Sequence, residues 1–537
     1  MTESRKLSLP DQSRVPGNLA GEPVNLRELL ESRAQASPSK TFLFSEADGR
    51  SYTYSEFNRA VNRAAHLLRS RGIEKGHVVS LLLPNSAEYI IAYFACFKLG
   101  ALAGPINSLL KPQEIAYVIS NSEARALLVG SEFLRGIEAI RAGLPDLREI
   151  IVFDDEAEAT AAFASVEEMP PAADISLEDE AIIIYTSGTT GKPKGCLLTH
   201  GNLLANARQI TNWLGFTERD RLLTIMPLFH MNAVSVTTLT PLYSAGSTVV
   251  SQRFSARRFW QMINDYQITS FGSVATMLSM LLATYPEGVP AGLQTGQLRF
   301  AMCGSAPVPA EILRRFEETF NCLVIEGYGL SESTCRSTFN PPDQRRRPGS
   351  CGMPIGNEMK VFDEEDREVP DGKLGEIVLR GENILKGYFK NEEATRRAFR
   401  QGWFHTGDIG YRDSEGFFYI VDRKSDMIIR GGENIYPREI DEVLYQHPSV
   451  AAAAAIGVPD QLYGEEVAAF VVLKEGTQTT EEELIAFCRE RLADYKCPKT
   501  VRFVADIPKG PTGKLLKREL ARQYAISPDQ PNAPNNI

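Results

Sequence analysis

Residues 185–195 read YTSGTTGKPKG and bring hydroxyl, lysine and glycine residues together directly after an apolar run, AIII at residues 181–184. The apolar run is typical of a buried strand. Glycines let several backbone N–H groups converge on one point, while the hydroxyls add donors and the lysines add positive charge. This chemistry suits a polyphosphate held at a strand end. The stretch is not the Walker A loop of P-loop nucleoside triphosphatases, because Lys192 is followed by Pro193 where that motif requires serine or threonine. A flexible surface loop without a ligand is the alternative.

The ten residues TSGTTGKPKG resemble, without interruption, the phosphate signature of the adenylate-forming (ANL) superfamily. That superfamily includes acyl-CoA synthetases, firefly luciferase and the adenylation domains of peptide synthetases. Further motifs of the family follow in order, so that the resemblance extends from about residue 26 to residue 520. Within the signature, the residues that the resemblance assigns to the phosphates of ATP are Thr186, Ser187, Gly188, Thr189, Thr190 and Lys194.

Two more segments rich in small residues follow predicted strands, GSAP at 304–307 and EGYGLSES at 326–333. Small residues at strand carboxyl ends let a flat ring lie against backbone, and a tyrosine ring can stack on it. The resemblance implies that both segments cradle adenine. It also implies that Glu332 reaches a magnesium ion on the phosphates, a role that suits a carboxylate. The nucleotide-binding residues predicted in these segments are Gly304, Ser305, Ala306, Glu326, Gly327, Tyr328 and Ser331.

The motifs WFHTGD, ending at Asp408, and DRKSD, with Arg423, resemble the family's ribose-binding segments. A carboxylate offers two acceptors to the two hydroxyls of a ribose. The resemblance therefore assigns Asp408 and Arg423 to the sugar and places the inter-domain hinge directly afterwards, at Lys424 and Ser425. Serine at this position departs from the aspartate or lysine that is common in the family.

Two residues are predicted to act on the reacting groups. Lys514 follows the run IPKGPTG, which resembles the family's catalytic-lysine loop, with Gly510 where a threonine is usual. Its ammonium would bridge the substrate carboxylate and the α-phosphate. His230 closes the motif PLFH, which resembles the segment where a histidine orients the carboxylate or gates the thiol tunnel. A purely structural histidine is the alternative.

The acid and CoA sites are predicted less directly. No acidic residue follows His230 at 231–238, which argues against an amino-acid substrate. The residues predicted to line the acyl pocket are Asn232, Ser235, Val274, Gly329 and Cys335. The residues predicted to meet CoA are Arg253, Gly431 and Gly432, with a solvated arginine as the alternative for Arg253. Arg336 is expected either to meet a polar substrate tail or, preferably, to pair with an acid at the surface.

Composition limits the remaining possibilities. The chain has 537 residues, 58 basic and 68 acidic side chains, and a formal charge of −10, which disfavours nucleic acid as a partner. No apolar run is long enough to span a membrane, and the first residues have no apolar signal core. Eight scattered cysteines without a CxxC pair fit reduced thiols. A cytoplasmic enzyme is therefore expected, with its oligomeric state undetermined and a homodimer left open.

Strand and helix patterns alternate along the chain, which indicates layered α/β sheets that are mostly parallel. A chain of this length needs more than one domain. The expected organisation is a flexible arm (1–23), a large AMP-binding domain (24–423), a small mobile α+β lid (424–525) and a flexible tail (526–537).

These features predict an AMP-forming acyl-CoA synthetase that uses ATP, Mg²⁺ and coenzyme A. The lid would rotate between the adenylation and thioester steps. A small or polar-tailed acid is favoured, partly because FSARRFW at 254–260 resembles carnitine and crotonobetaine CoA ligases. The alternatives are a medium- or long-chain fatty acid substrate, an enzyme that loads a carrier protein, a binding module without activity, and a luciferase-type oxygenase.

Overall fold

The structure is a computed structural model that describes residues 23–154, 173–186, 193–304, 308, 310–509 and 515–526. Within these ranges it contains a large N-terminal unit and a smaller C-terminal one, each with its own hydrophobic core. This arrangement confirms the predicted fold class, although the proposed domain boundaries stay a prediction.

The first sheet has seven strands, six of them parallel, with an antiparallel edge. Their carboxyl ends meet at one side of the sheet, which is where such sheets bind ligands. In sheet order the strands are Leu323–Glu326, Phe300–Cys303, Ser270–Ser273, Arg221–Thr224, Ser247–Val250, Thr41–Ser45 and Ser51–Thr53.

The second sheet also has seven strands, and five of them are parallel. Its central strands are buried on both faces, which explains their continuous apolar sequences. In sheet order the strands are Gly387–Tyr388, Lys194–Thr199, Glu180–Thr186, Leu102–Pro105, Val78–Leu82, Ala126–Val129 and Glu149–Val152.

Helices cover the sheets of the large unit. The helix that begins at Tyr54 has a capping box, formed by Thr53 and Glu56. Gly100 ends another helix in the left-handed conformation that glycine tolerates. The α-helices are Leu26–Ala36, Tyr54–Ser70, Ala87–Leu99, Pro112–Asn121, Ser131–Ile140, His200–Leu214, Thr240–Tyr243, Ala256–Asp265, Ala275–Thr284, Ala310–Phe320 and Glu392–Ala398. Short 3₁₀ turns lie at Arg141–Gly143 and Ser331–Ser333, and Asn232–Leu239 is a π-helix.

A third, antiparallel sheet departs from the parallel pattern of the first two. Its strands are Glu358–Phe362, Gly375–Arg380, Trp403–Arg412, Phe399–Arg400 and Phe418–Arg423. Antiparallel neighbours can be joined by short loops, as Trp403–Arg412 and Phe418–Arg423 are, whereas parallel neighbours need long crossovers. A further two-stranded ribbon joins Thr338–Phe339 to Met353–Pro354.

The C-terminal unit is a five-stranded sheet with helices. Its strands are Glu433–Ile435, Ile428–Arg430, Gly464–Leu473, Val450–Asp460 and Thr500–Phe503. Its helices are Pro437–Tyr445, Glu481–Arg489 and Lys517–Ile526, with a 3₁₀ turn at Asp494–Lys496. Pro437 occupies the first helical turn, where the backbone N–H that proline lacks would have no helical partner. No helix in the described ranges is long and apolar enough to cross a membrane.

Candidate active site

A cavity of about 1260 Å³ lies between the carboxyl ends of the first sheet and the C-terminal unit. Gly304 and Gly327, which follow two neighbouring strands of that sheet, line it from below. Arg438 and Lys517 line it from the C-terminal unit. Because the cavity joins strand ends to a second unit, it can enclose a ligand that both units contact.

Three of the predicted nucleotide-binding residues meet in this cavity. The Tyr328 hydroxyl donates to Oδ2 of Asp408 at 2.5 Å, and Nε of Arg423 lies 3.2 Å from Oδ1. Asp408 and Arg423 are also direct partners in the third sheet. The sheet register therefore fixes the ion pair, and the carboxylate can accept from a diol without moving.

Glu326 ends its strand, lines the cavity and is 8% exposed. Burial raises the pKa of its carboxyl to about 7, although the backbone N–H of Gly349 donates to it at 3.0 Å. The group therefore has a substantial protonated fraction near neutral pH and can donate as well as accept a hydrogen bond.

A second group of polar residues surrounds Glu332. This residue lies two positions after Leu330, which lines the cavity. The Tyr388 hydroxyl donates to Oε1 of Glu332 at 3.2 Å, and the Thr186 hydroxyl donates to the same oxygen at 3.4 Å. Lys194 pairs with Thr186 across two antiparallel strands, and its ammonium lies 5.1 Å from the centre of the Tyr388 ring. The strands thus hold both ends of the phosphate signature beside one carboxylate.

This arrangement fits a magnesium ion that is bound mainly through a ligand. No group of three or more His, Cys, Asp or Glu side chains that could hold a metal is found in the described ranges. Magnesium typically uses one or two carboxylates together with substrate phosphates and water. Glu332, with hydroxyl neighbours rather than a second acid, supplies that kind of partial site.

The predicted acyl-pocket residues divide into two sets. Val274 and Gly329 line the cavity, whereas Asn232, Ser235 and Cys335 are buried and do not line it. The Ser235 hydroxyl is fully buried and donates to Oδ1 of Asn206 at 3.0 Å, so a structural contact holds it away from the cavity.

His230 also lies outside the lining, although its neighbour Phe229 is part of it. Burial lowers the pKa of the imidazole to about 4, so the ring is neutral near pH 7. Its Nε2 atom is buried and has no hydrogen-bond partner in the described part of the chain. A neutral ring can orient a carboxylate by a hydrogen bond but does not attract it by charge.

The expectation that Arg336 pairs with an acid at the surface is wrong. The side chain is 1% exposed, and none of the ion pairs among the described residues includes it. Its guanidinium lies under the Phe339 ring and against Gly304, where a Cβ atom would clash with Nη1. Burial places this cation behind the cavity floor.

The loop expected to carry the catalytic lysine begins and ends at the cavity. Lys509 and Leu515, which flank it and form a β-bridge, both line the cavity. Gly431 and Gly432 are exposed at positive φ and do not line it, whereas exposed Arg253 does. At the predicted hinge, the Lys424 N–H donates to the Gly407 carbonyl, and Ser425 is exposed.

Lys192 of the signature lies outside the described residues. The predicted site residues that also lie outside them are Ser187, Gly188, Thr189, Thr190, Ser305, Ala306 and Lys514. Ser331 is described and begins the 3₁₀ turn Ser331–Ser333, which includes Glu332.

Some residues that the structure brings to the site were missed by sequence reasoning. Tyr388 lies 56 positions from Glu332 and belongs to none of the quoted motifs. Lys517 and Asp441 both line the cavity and form an ion pair of 2.6 Å, at a sequence separation of 76. Only a co-variation signal between such positions could have indicated these pairs.

The chain is similar to known proteins over nearly its whole length. The model of the AMP-binding enzyme family matches residues 30–389, and the model of the AMP-binding enzyme C-terminal domain matches residues 439–514. The sulfoacetate–CoA ligase of Cupriavidus necator is 38% identical over 92% of this chain and 97% of its own. The long-chain-fatty-acid–CoA ligase FadD13 of Mycobacterium tuberculosis is 36% identical over 94% and 99%.

The fold is shared with solved structures. ATP-bound MatB from Rhodopseudomonas palustris superimposes with a TM-score of 0.87 at 31% identity, covering 93% of this chain and 99% of that one.

Proposed function

The chain belongs to the AMP-binding enzyme family, and we propose that it activates a small carboxylic acid with a polar tail. It is an AMP-forming acid–CoA ligase, as its relatives are CoA ligases over almost their full length. A carboxylate oxygen attacks the α-phosphorus of ATP and displaces pyrophosphate. The CoA thiol then attacks the acyl carbon and displaces AMP.

The observation that carries the ATP-dependent activation is the arrangement of Tyr328, Asp408 and Arg423 in the cavity at the strand ends. A buried carboxylate held by two fixed donors is suited to binding a diol, and this supports its assignment to the ribose of ATP. Glu326 and the glycines beside it would then meet the base.

The phosphates would lie between the signature loop and Glu332. Lys194 and Lys514 would offset their negative charge, which is the main work of this kind of catalysis. Glu332 would hold Mg²⁺, which would supply further positive charge to offset the phosphates. His230 would orient the acid, and Arg253 with the loop of Gly431 and Gly432 would meet CoA.

The names of the relatives do not select the acid, since one relative acts on sulfoacetate and another on long-chain fatty acids. The buried polar groups Asn232, His230 and Arg336 beside the cavity support a polar tail over an alkyl chain, because unpaired polar groups are costly to bury against hydrocarbon.

The test is pyrophosphate release with ATP and Mg²⁺ over a panel of acids, each with and without CoA. The panel spans acetate to palmitate, aryl acids, dicarboxylates and betaines. CoA-dependent release with short polar acids is expected. Release that ignores CoA would indicate a carrier-protein acceptor, preference for palmitate would overturn the polar tail, and silence throughout would indicate a binding module.

A further inference from the structure

The Arg336 guanidinium has one edge without a partner. Its Nη1 atom donates to the Gly327 carbonyl at 3.3 Å, whereas Nε and Nη2 are buried and have no acceptor in the described part of the chain. Nε and Nη2 lie on the same edge of the planar group. They form the fork that binds both oxygens of a carboxylate or sulfonate in parallel.

A buried cation without an anion is costly, because desolvation is not offset by Coulomb attraction. Another fully buried cation of the chain does have a carboxylate partner. Lys98 has no exposed surface and pairs with Glu31 at 2.9 Å. At Arg336 the side chain is equally buried, yet none of the described carboxylates lies within ion-pair distance. The unmet charge therefore calls for an anion from outside the chain.

Arg336 is held in place directly behind the cavity floor. Asn206 and Asn383 donate to the Arg336 carbonyl at 2.7 and 3.2 Å, and the Phe339 ring lies 5.2 Å from the guanidinium carbon. Gly304 and Gly327, which contact Nη1, both line the cavity. Because the fork is positioned before a ligand arrives, little entropy is lost on binding.

A second buried polar side chain also lacks a partner. Asn232 is 6% exposed, and neither atom of its amide has a partner in the described ranges. Ser235, within the same π-helix, donates to Asn206, which in turn holds the Arg336 backbone. The amide can donate to an oxyanion without adding a negative charge to compete with it.

We propose that the substrate acid carries a second anionic group, a carboxylate or sulfonate on a short tail, and that Arg336 binds it through the free guanidinium edge. This inference rests on the proposed function, because Arg336 would bind the tail of the acid while the reacting carboxylate at the other end faces ATP. Arg336 is then a specificity-determining residue, and Asn232 supports it.

The experiment compares matched acids that differ only in tail charge: malonate with malonamate, succinate with succinamate, and sulfoacetate with methylsulfonylacetate. The readout is kcat/KM for pyrophosphate release with CoA present. The anionic member of at least one pair is expected to be faster by about 100-fold, the effect of a buried charge pair. A ratio near one, or a preference for the neutral member in every pair, overturns the inference even while turnover proves the ligase.

The variants Arg336→Gln and Arg336→Lys test the residue itself. Gln should lower kcat/KM for the anionic member far more than for the neutral one, so that their ratio falls toward one. Lys should keep the charge but lose the fork, and should recover part of the ratio. Arg380→Gln, at an exposed arginine paired with Glu358, is the matched control. If Arg336→Gln slows both members of each pair equally and leaves the melting temperature unchanged, the residue does not read the tail.

Thermal unfolding covers two further outcomes. If Arg336→Gln does not fold, the preference of the unaltered enzyme still decides the inference. If no acid supports turnover, the proposed function fails. The rise in melting temperature of the unaltered protein with malonate, compared with the rise with malonamate, then tests anion binding at Arg336. A larger rise with malonate supports an anion site, whereas equal shifts overturn it.

Discussion

At the scale of single residues, Glu326 makes the stability of the folded protein depend on pH. Its pKa is raised from 4.5 to about 7 by burial, so the folded protein keeps the proton that the unfolded chain loses between these values. Stability should therefore fall as pH rises from 4.5 to 7, by about 3 kcal/mol in total, and then level off. Below pH 4.5 both states are protonated, and the penalty is absent.

Glu326→Gln should remove this loss. We expect the variant to match the unaltered protein near pH 4.5 and to exceed it by about 2–3 kcal/mol at pH 8, as measured by urea unfolding. The control is Glu358→Gln, whose exposed carboxylate pairs with Arg380. An unchanged pH profile in Glu326→Gln would contradict the assignment of the protonated carboxyl.

At the scale of elements, the strand Gly387–Tyr388 places a hydroxyl on Glu332 at the edge of the second sheet. Tyr388→Phe should raise the KM for MgATP by about 5- to 10-fold, because a hydrogen bond to a carboxylate is lost. The KM for the acid should stay unchanged. Tyr285→Phe, which removes a hydroxyl bound to the Arg257 carbonyl, is the control. An equal rise in both KM values would instead indicate general damage to the sheet edge.

Two helices of the C-terminal unit are joined by Asp441 and Lys517. Their ion pair is 2.6 Å long, and Asp441 also accepts from the Ala455 N–H. Burial raises the pKa of Asp441 even with the lysine present. Lys517→Met should destabilise the unit by about 3–5 kcal/mol, because it leaves a buried carboxylate unpaired.

Adding Asp441→Asn to Lys517→Met should recover much of this loss, since the amide is neutral and still accepts from Ala455. Hydrogen exchange of the strand Val450–Asp460 measures the effect locally. If the single and double variants are equally destabilised, packing of the lysine stem rather than charge holds the helices together.

At the scale of the whole molecule, the C-terminal unit, which corresponds to the predicted lid, has two loops with separate proposed roles. One is the loop predicted to carry Lys514, and the other contains Gly431 and Gly432. The ends of the lysine loop lie at the cavity, whereas Gly431 and Gly432 do not. This arrangement suits the adenylation step, and the thioester step would need the lid to rotate. Lys514→Ala should therefore slow acyl-adenylate formation by roughly 100-fold or more, and slow thioester formation from supplied acyl-adenylate far less.

The two half-reactions are measured separately, by pyrophosphate release and by acyl-CoA formation from synthetic acyl-adenylate. Lys499→Ala, at an exposed lysine paired with Asp460, is the matched control on the same unit. Equal loss in both half-reactions would rule out the two-conformation model.

The sequence by itself determined the features carried by contiguous residues. Three such features each predict a ligand chemistry from neighbouring residues alone: the signature between residues 186 and 194, the small-residue turns at two strand ends and the motif that ends at Asp408. Capping at Thr53 and the helix start at Pro437 were likewise predictable, because both depend on neighbouring residues.

Only the tertiary structure decided which side chains are buried and which distant ones meet. Arg336 looked like a surface residue, yet Asn206, 130 positions away, helps hold it under the cavity floor. Tyr388 reaches Glu332 because a short strand adds to the sheet edge, and Ser235 turns away from the cavity because Asn206 accepts its hydroxyl. Burial and long-range pairing depend on how all elements pack together, and no local pattern contains that information.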